Sequence, residues 1–555
     1  MAMHTVLKLH KNDNVIVALQ NLKAGEKVTF DKESYEIQHD IEAKHKFVTE
    51  DLSVGDHVTM YGVLVGKATQ PIKRGAQITT FNLKHESDPY SVEKRQPAPA
   101  WNPLDVESWK TKTFNGYHRA NGSVGTRNYW LVVPLVFCEN RNIMIMKDAF
   151  ERELGYAQPE IYRNQVRDLL AAFHSGNTEA LETITLADPS SEKIKISPTH
   201  IFQNVDGIKF LTHETGCGGT NQDTDALCDL FAGMIVNPNV AGVTVLSLGC
   251  QKSQIDYLKE QILKRDPLFE RPILYFDQQT YGTEHTMMSD AIRETFKGII
   301  EINKQTRQPA PISKLTIGLK CGGSDGFSGI SANPAIGHLS DIMVSLGGTT
   351  LLAEFPELCG VEQELINRCV DETKAQKFAD LMKEYSDQAA AVGATFDMNP
   401  SVGNIKDGLI TDAIKSAGAA KKGGNAPVAD VLNYTEQPTQ GGLHLLCTPG
   451  NDVLATTGMA ASSATIILFT TGLGTPTGNP VTPTVKISTN NKLAEKMPDI
   501  IDFSCGKIIT GEETIEQNAE SLLNWLIGLA NGEYLTKAEL LGQDDFIPWK
   551  RGVNL

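Results

Sequence analysis

The 555-residue sequence contains no apolar run of the roughly 18 to 20 residues that a membrane-spanning helix needs. Its longest apolar runs, at 131–137 and 464–469, are far shorter. Positive charge is also scarce, since 51 basic residues against 67 acidic ones give a net charge of −16. A protein that binds the phosphate backbone normally carries a basic balance or a basic stripe. We therefore expect neither a membrane nor a nucleic acid as partner.

Signals of secretion are missing as well. The first residues, MAMHTVLKLHKNDNV, have no apolar core and no small-residue cleavage site. Nine cysteines are an odd number that does not fit a disulfide framework and suits a reducing compartment. We therefore expect a cytoplasmic protein. With 41% apolar and 21% charged residues the chain predicts a folded protein, and its length predicts several domains.

Nucleotide-binding motifs are absent although glycine-rich turns are numerous. None of the turns is a G-x-G-x-x-G between a strand and a helix, and none is a G-x-x-x-x-G-K-[ST] loop. This argues against a nicotinamide-dependent dehydrogenase, which we keep as an alternative function.

The hydrophobic pattern divides the chain into parts. The first 85 residues are rich in short β-strands separated by turns, and a polar, proline-bearing stretch follows. From residue 116 onward, apolar runs of four to eight residues alternate with helical segments, which predicts parallel sheets buried on both faces. The predicted strands are 129–137, 207–211, 240–248, 272–276, 315–319, 349–353, 442–447, 464–470 and 484–488. The predicted helices include 144–154, 166–173, 223–234, 254–264, 362–384 and 514–530.

Cysteines follow three predicted strands of the middle region. Cys138 comes directly after the run 129–137, Cys250 two residues after 240–248, and Cys217 six residues after 207–211. Ligands of open α/β sheets bind beyond the carboxyl ends of the strands, and three thiolates meeting there could hold a soft metal or an iron–sulfur cluster. His213, in the segment THETGC, is a candidate for the same site and for catalysis. The alternatives are buried cysteines acting as small apolar residues and an ordinary core or surface histidine.

Polar side chains accompany the glycine-rich turns of the C-terminal part. Hydroxyl, amide and carboxylate groups of this kind suit a polyol, although tight turns alone would also explain the glycines. The residues concerned are Asp325, Asn333, Asn399, Asn404, Asp452, Thr470 and Thr475. The segment GYHRANGSVGTRN adds Arg119 and Arg127. These arginines could bind a carboxylate through bidentate hydrogen bonds, or they could be solvated in a surface turn.

Nine segments spread along the chain form a recognisable set: KHKFVTEDLSVGDHVTMYGVLVGKAT, GYHRANGSVGTRN, THETGC, LGC at 248–250, CGGSDGFSGISANPAIG, EFPELCGVE, NPSVGN, TPGND and GTPTGNPVTPTVKISTN. Taken together, these segments resemble the altronate dehydratase and galactarate dehydratase family nearly from end to end, and the altronate branch more closely.

The resemblance implies a multidomain α/β protein. We expect a β-clip (SAF-like) domain at 1–95, a linker at 96–110, a middle α/β domain at 111–305 and a C-terminal α/β domain at 306–555, both with mostly parallel sheets. It also implies a hydro-lyase of carbohydrate metabolism that needs iron, as a single Fe²⁺ or as a cluster. The expected reaction converts D-altronate into 2-dehydro-3-deoxy-D-gluconate. A homo-oligomer is compatible with this interpretation.

Four residues depart from the family pattern. They are Leu473 in a Gly-Leu-Gly-Thr-Pro turn where arginine is usual, Gln251 and Lys320 in place of glutamates, and Ile405 in place of lysine. Because leucine cannot pair with a second carboxylate, Leu473 predicts a monoacid substrate over a diacid such as galactarate. Another hydroxy acid, or a non-catalytic sugar-acid binding protein, remains an alternative.

The expected chemistry assigns roles to further residues. A base must remove the C2 proton, an acid must help the C3 hydroxyl leave, and positive groups must hold the carboxylate. We expect Arg119 and Arg127 to bind the carboxylate. His45 and Lys46, in the segment KHKF, are candidates for proton transfer, with the β domain docked over the middle domain. The alternative for KHKF is a charged surface turn.

Overall fold

A computed structural model describes residues 5–97, 101–186 and 200–551. Residues 98–100 of the predicted linker, and residues 187–199 of the middle domain, lie outside the described residues. Of the helices described, none combines the length and apolar character that crossing a membrane would require.

The N-terminal domain is built from small antiparallel sheets, in the orders β1-β2-β5, β3-β4 and β6-β7-β8. A two-residue turn, Tyr61 and Gly62, joins β6 to β7, and both residues have positive φ as a tight hairpin requires. The strands are β1 (Val6–Leu7), β2 (Val15–Ala18), β3 (Lys27–Phe30), β4 (Glu33–Glu36), β5 (Lys46–Val48), β6 (His57–Met60), β7 (Val63–Ala68) and β8 (Leu83–Lys84).

A short helix and a three-stranded antiparallel sheet connect the domains. The sheet has the order β10-β9-β15 and brings together chain segments on both sides of the middle domain. These elements are α1 (Glu107–Lys110), β9 (Thr113–His118), β10 (Val124–Gly125) and β15 (Gln308–Pro311).

The middle domain contains the expected parallel sheet, in the order β12-β11-β13-β14. Separate apolar clusters cover its two faces, so that β11 and β13 are buried along their whole length. The strands are β11 (Tyr129–Pro134), β12 (Gly207–Phe210), β13 (Val240–Ser247) and β14 (Ile273–Asp277). The helices are α2 (Asn140–Leu154), α3 (Ile161–His174), α4 (Thr178–Leu181), α5 (Asn221–Val236), α6 (Ile255–Arg265), α7 (Gln278–Tyr281) and α8 (Glu284–Ile302).

The C-terminal domain has a seven-stranded parallel sheet in the order β18-β19-β17-β16-β20-β21-β22. Its strands are β16 (Thr316–Cys321), β17 (Thr349–Ala353), β18 (Val428–Leu432), β19 (Gly442–Leu446), β20 (Ile466–Thr471), β21 (Thr484–Ser488) and β22 (Phe503–Ser504). Its helices are α9 (Ala332–Ser345), α10 (Glu362–Arg368), α11 (Glu372–Ala391), α12 (Val402–Lys406), α13 (Asp412–Ala420), α14 (Asp452–Ala461), α15 (Asn491–Lys496), α16 (Gly506–Thr510), α17 (Ile515–Asn531) and α18 (Lys537–Leu540). The expected fold class, small β domain followed by α/β domains, is therefore confirmed.

Local differences from the predicted elements have physical causes. The single helix predicted at 362–384 is two helices, because Asp371 caps the N-terminus of α11 by accepting a hydrogen bond from the Lys374 backbone N–H. Strand β18 was not predicted, since it is a short edge strand flanked by glycine and polar residues.

The N-terminal domain packs against the C-terminal domain, and the expectation that it covers the middle domain is wrong. Val58 and Val65 share one apolar cluster with Phe327, Ile330 and Leu409. Apolar side chains of the C-terminal loops thus complete the core of the small β domain, which fixes its position.

A buried ion pair ties the middle domain to the C-terminal domain. The fully buried Arg127 donates to both carboxylate oxygens of Glu539, at 2.8 and 3.1 Å. Burial alone would raise the pKa of Glu539, but the charge of Arg127 lowers it to about 2.

Arg127→Met is therefore expected to lower the free energy of unfolding by about 3 to 5 kcal/mol, because Glu539 is left as a buried unpaired charge. Urea denaturation would measure the loss. Arg152→Met is the control, since Arg152 pairs with Asp148 at an exposed site and should cost less than about 1 kcal/mol. Unchanged stability in Arg127→Met would contradict the structural role.

Candidate active site

The polar residues predicted from the glycine-rich turns converge at the carboxyl edge of the C-terminal sheet. The loops that follow β16, β17, β19, β20 and β21 meet there, where parallel α/β sheets bind their ligands. We define this edge as the candidate site.

Asp325 anchors the N-terminal domain to this edge. Its fully buried carboxylate pairs with Lys44 Nζ at 3.0 Å and accepts a hydrogen bond from Thr489 Oγ1 at 3.0 Å. Lys44 Nζ also pairs with Asp407 at 2.7 Å. The charged turn that carries KHKF is therefore an interdomain contact.

His45 and Lys46 are also held by the C-terminal domain. The ring of His45 bridges the Lys406 carbonyl oxygen, at 3.1 Å from Nε2, and the Gln77 amide, at 2.9 Å from Nδ1. Lys46 Nζ is buried and donates to the Gly408 carbonyl oxygen at 2.6 Å. Burial lowers the pKa of Lys46 to about 7.

The two predicted asparagines organise the loops. Asn333 lies in the first turn of α9, donates to the Gly418 carbonyl oxygen at 3.0 Å and accepts from Thr470 Oγ1 at 2.7 Å. Asn404 completes the capping box of α12 with the N-cap residue Ser401 and donates to the Ser324 carbonyl oxygen at 2.7 Å. Because both amides are buried and engaged, they hold the loops in place.

Asp452, Leu473 and Thr475 are more open to solvent. The Asp452 side chain is 32% exposed and Leu473 is 38% exposed. A methyl group placed on Gly323 would lie 2.8 Å from Thr475 Oγ1 and 3.2 Å from Leu473 Cβ. Leu473 therefore sits at the rim of the site, which is where a side chain can select among substrates.

Below the edge lies a buried charge cluster that the sequence analysis missed. Lys320 Nζ donates to a Glu354 carboxylate oxygen, to Asp452 Oδ1 at 2.8 Å and to the Cys321 carbonyl oxygen at 2.7 Å. Burial opposes the charge, but Glu354 and Asp452 raise the pKa of Lys320. Lys422 and Lys415 supply two further ammonium groups, 2.7 Å from Cys321 Sγ and 2.7 Å from Glu357.

Glu354 is strained and incompletely paired. It adopts φ of 72°, the left-handed region that non-glycine residues rarely occupy. Within the described part of the chain its buried Oε2 accepts no hydrogen bond. Burial raises the pKa of Glu354 to about 7. Strained residues with unsatisfied groups concentrate at functional sites, and the surrounding cluster must hold this one in place.

This cluster contains one group of side chains of the kinds that bind metal ions. Ligand atoms of Cys321, Glu354 and Glu357 all lie within 4.8 Å of one another. The ammonium groups of Lys320 and Lys422 already contact these atoms, so a metal cation would have to displace two positive charges. The set therefore fits a metal ion poorly while both lysines are charged.

The three strand-end cysteines lie at the carboxyl edge of the middle sheet, on the neighbouring strands β12, β11 and β13. All three are exposed. Backbone hydrogen bonds join their loops, from the Phe137 N–H to the Thr215 carbonyl oxygen and from the Lys252 N–H to the Gly216 carbonyl oxygen. Gln251 braces the third loop by donating to Ser247 Oγ at 2.7 Å.

The distances between these thiols limit which metal centre they could bind. Metal–sulfur bonds of about 2.3 Å place two thiolates on one ion within about 4.6 Å. Among the described residues, Cys138, Cys217 and Cys250 do not form a set within 4.8 Å. In this arrangement the three thiols therefore do not fit one metal ion.

Three residues predicted for the substrate or for catalysis are engaged inside the protein. Arg119 is buried and donates to the Pro238 carbonyl oxygen at 2.8 Å and to Gln305 at 2.7 Å. Arg127 is buried in its pair with Glu539. His213 donates from Nε2 to the Pro134 carbonyl oxygen at 2.8 Å, and burial lowers its pKa to about 4. The structure brings none of them to the C-terminal edge, which corrects the expected carboxylate role of the two arginines.

Comparisons with known proteins cover the same three parts of the chain. The model for the altronate/galactarate dehydratase SAF domain matches residues 4–86. The model for the second domain of D-galactarate dehydratase/altronate hydrolase matches 116–303, and the model for the C-terminal domain of D-galactarate/altronate dehydratase matches 312–554.

Full-length relatives agree with these matches. The chain is 33% identical to an altronate dehydratase of Bacillus subtilis, over 100% of both chains. The chain belongs to the galactarate/altronate dehydratase family. It is also 31% identical to an altronate dehydratase of Escherichia coli, over 95% of both chains. A galactarate dehydratase of the same organism is 28% identical over 97% of this chain and 94% of its own length. The resemblance stated from the sequence is thus confirmed.

The stability of the contact between the N-terminal and C-terminal domains is expected to depend on pH because of Lys46. The pKa of Lys46 falls from 10.5 to about 7 on burial, so between these values the unfolded chain binds one proton more than the folded chain. Stability contributed by this group therefore rises with pH across that window, by up to about 1.4 kcal/mol per pH unit.

Lys46→Met is expected to remove this rise. Urea denaturation between pH 7 and 10 would measure it as the difference between wild type and variant. Lys23→Met serves as control because Lys23 pairs with Asp40 at an exposed site. A difference that does not change with pH would show that Lys46 is charged in the folded protein.

Proposed function

We propose that the protein dehydrates a sugar acid, with D-altronate as substrate and 2-dehydro-3-deoxy-D-gluconate as product. The observation that carries the proposal is the end-to-end similarity to two altronate dehydratases. The test is an anaerobic incubation with altronate and iron but no nicotinamide, followed by detection of a 2-keto-3-deoxy acid. Product that forms only with nicotinamide would support a dehydrogenase instead.

The residues of the candidate site suit a hydroxylated anion. The Lys320 ammonium lies under the edge and is held in place by Glu354 and Asp452. A fixed positive charge of this kind stabilises the enediolate that forms when the C2 proton leaves. Thr475, at the rim, offers a hydroxyl to the polyol. Lys44 neutralises Asp325, which would otherwise repel an anionic substrate.

Iron, the metal that the family implies, is assigned to Cys138, Cys217 and Cys250 in this proposal. The exposed thiols and joined loops support a cluster with three protein ligands. When bound, such a centre supplies Lewis-acid chemistry toward a hydroxyl leaving group. The mononuclear alternative requires the loops to move closer together.

Replacing any one of these three cysteines by alanine is expected to lower the iron bound per chain and to remove the visible absorbance of a reconstituted cluster. Metal analysis and absorbance spectra after anaerobic reconstitution would measure both. Cys369→Ser is the matched control, because Cys369 is buried and its Sγ contacts the Leu365 carbonyl oxygen, a contact that serine can reproduce. Full iron content in all three alanine variants would refute the assignment.

Substrate choice should depend on Leu473. Its partly exposed side chain offers no charge at the rim, so a diacid would bring a second carboxylate to an apolar surface. Wild type is therefore expected to turn over altronate faster than galactarate, and Leu473→Arg to move the ratio of kcat/KM toward galactarate by about tenfold or more.

Rates on both acids would measure this ratio, with Leu473→Met as the control that changes shape without charge. Faster turnover of galactarate by wild type would contradict the choice of a monoacid. An unchanged ratio in Leu473→Arg would show that residue 473 does not contact the distal end of the substrate.

A further inference from the structure

Lys486, in β21, is a buried lysine in the interior of the seven-stranded sheet. It is 1% exposed, and among the described residues its Nζ has no hydrogen-bond partner. The ammonium lies 3.5 Å from the centroid of the Phe469 ring. A cation over an aromatic face recovers only part of the hydration that burial removes.

Lys486 belongs to a row of three side chains below the candidate site. Phe469 of β20 is paired in register with Lys320 of β16 on one side and with Lys486 of β21 on the other. Residues opposite one another in neighbouring strands project from the same face of a sheet. Lys320 Nζ accordingly lies over the same ring, 5.5 Å from its centroid.

The tip of the buried Phe469 ring lies beside Gly322 and Asp452, directly beneath the open part of the site. A methyl group placed on Gly322 would lie 2.5 Å from Phe469 Cζ and 2.4 Å from Asp452 Oδ1. The Asp452 side chain is 32% exposed. The four-carbon stem of lysine lets Nζ of Lys486 move along the ring toward this opening without movement of the strand.

The charged groups around Lys486 all have other partners. Asp452, Asp502, Lys320 and Asp545 face it from four different segments. Asp452 is paired with Lys320. Asp502 accepts from the backbone N–H of Lys486 itself, at 2.7 Å, and Asp545 accepts from the Gly478 N–H, at 3.0 Å.

The two lysines of the row therefore differ in charge. Burial lowers the pKa of Lys486 to about 7, whereas the carboxylates around Lys320 raise its pKa despite burial. Two similar groups whose surroundings drive their pKa values apart are suited to separate acid and base roles. By contrast, the side-chain nitrogens of His45, Lys46 and His213 are all hydrogen-bonded within the protein.

We propose that Lys486 is a catalytic residue, the base that removes the C2 proton of the sugar acid; this inference rests on the dehydratase function proposed above. The C2–H bond breaks, the proton moves to the neutral Nζ, and the electron pair enters the enediolate beside the fixed charge of Lys320. The C3–O bond then breaks, and the departing hydroxide takes the proton from the protonated Nζ of Lys486. Water leaves, the amine is neutral again, and the resulting enol tautomerises to the 2-keto acid.

Lys486→Met is the sharpest variant, because methionine keeps the apolar stem over the ring and removes the amine without leaving a buried unpaired charge. We expect kcat to fall by about 10² to 10⁴-fold with little change in KM, bound iron or melting temperature. Exchange of the C2 hydrogen of altronate with D₂O, followed by NMR, should fall in parallel. Lys374→Met is the control, since Lys374 pairs with Asp430 in edge strand β18 and should leave the rate unchanged.

The wild-type enzyme supplies a second measurement that needs no variant. Its kcat/KM should rise with pH and level off with a midpoint near 7, since the neutral amine is the active form. A pH profile of kcat/KM that does not rise toward a midpoint near 7 would overturn the assignment of Lys486, and so would C2 exchange and kcat in Lys486→Met within threefold of wild type. Failure of wild type to dehydrate any sugar acid would instead overturn the proposed function.

Discussion

The carboxyl edge of the C-terminal sheet depends on one buried ammonium group. Lys320 Nζ donates to Glu354 after β17, to Asp452 at the start of α14 and to the Cys321 carbonyl oxygen at the end of β16. Removing a charge from water costs several kcal/mol, and only well-placed partners offset this cost. The three loops are thereby held at one point, which also fixes the positions of the glycine-rich turns beside them.

Most polar groups at the edge are occupied in building it. The Asn333 and Asn404 amides and the Asp325 carboxylate are buried and bonded to neighbouring loops. What remains open is a short rim that includes Asp452, Leu473 and Thr475. Selection among sugar acids is therefore concentrated in a few side chains, and a single substitution at the rim has a larger effect than one among the organising amides.

The sequence predicted those parts of the fold in which the local hydrophobic pattern matches the burial of the element in the folded protein. Strands 349–353 and 484–488 were predicted with the bounds that the structure has, because apolar β-branched runs mark buried parallel strands. The position of Cys138, Cys217 and Cys250 at one sheet edge followed from the same pattern. Arg119 and Arg127 were misread because a turn rich in glycine and arginine predicts exposure, whereas contacts with distant residues bury both.

The sequence itself marks Lys320 and Lys486 as unusual residues. Each lysine interrupts an apolar run, TIGLKC and TVKIS, in a sheet expected to be buried on both faces. In such a strand no face is open to water, so an interior lysine must be either paired or neutral. The choice depends on the carboxylates that distant loops bring near. Glu354 and Asp452 pair with Lys320, whereas Lys486 Nζ has no hydrogen-bond partner in the part of the chain that the structure describes.

The docking of the small β domain follows from the same electrostatics. Asp325 is buried at the site, and an anionic substrate would meet its charge unless a cation lay close by. Lys44 of the N-terminal domain is that cation, and Lys46 closes the contact at Gly408. Apolar side chains of the C-terminal loops also complete the core of the small domain. The β domain is thus part of the electrostatic environment of the candidate site, since undocking it would expose Asp325 and its neighbouring loops together.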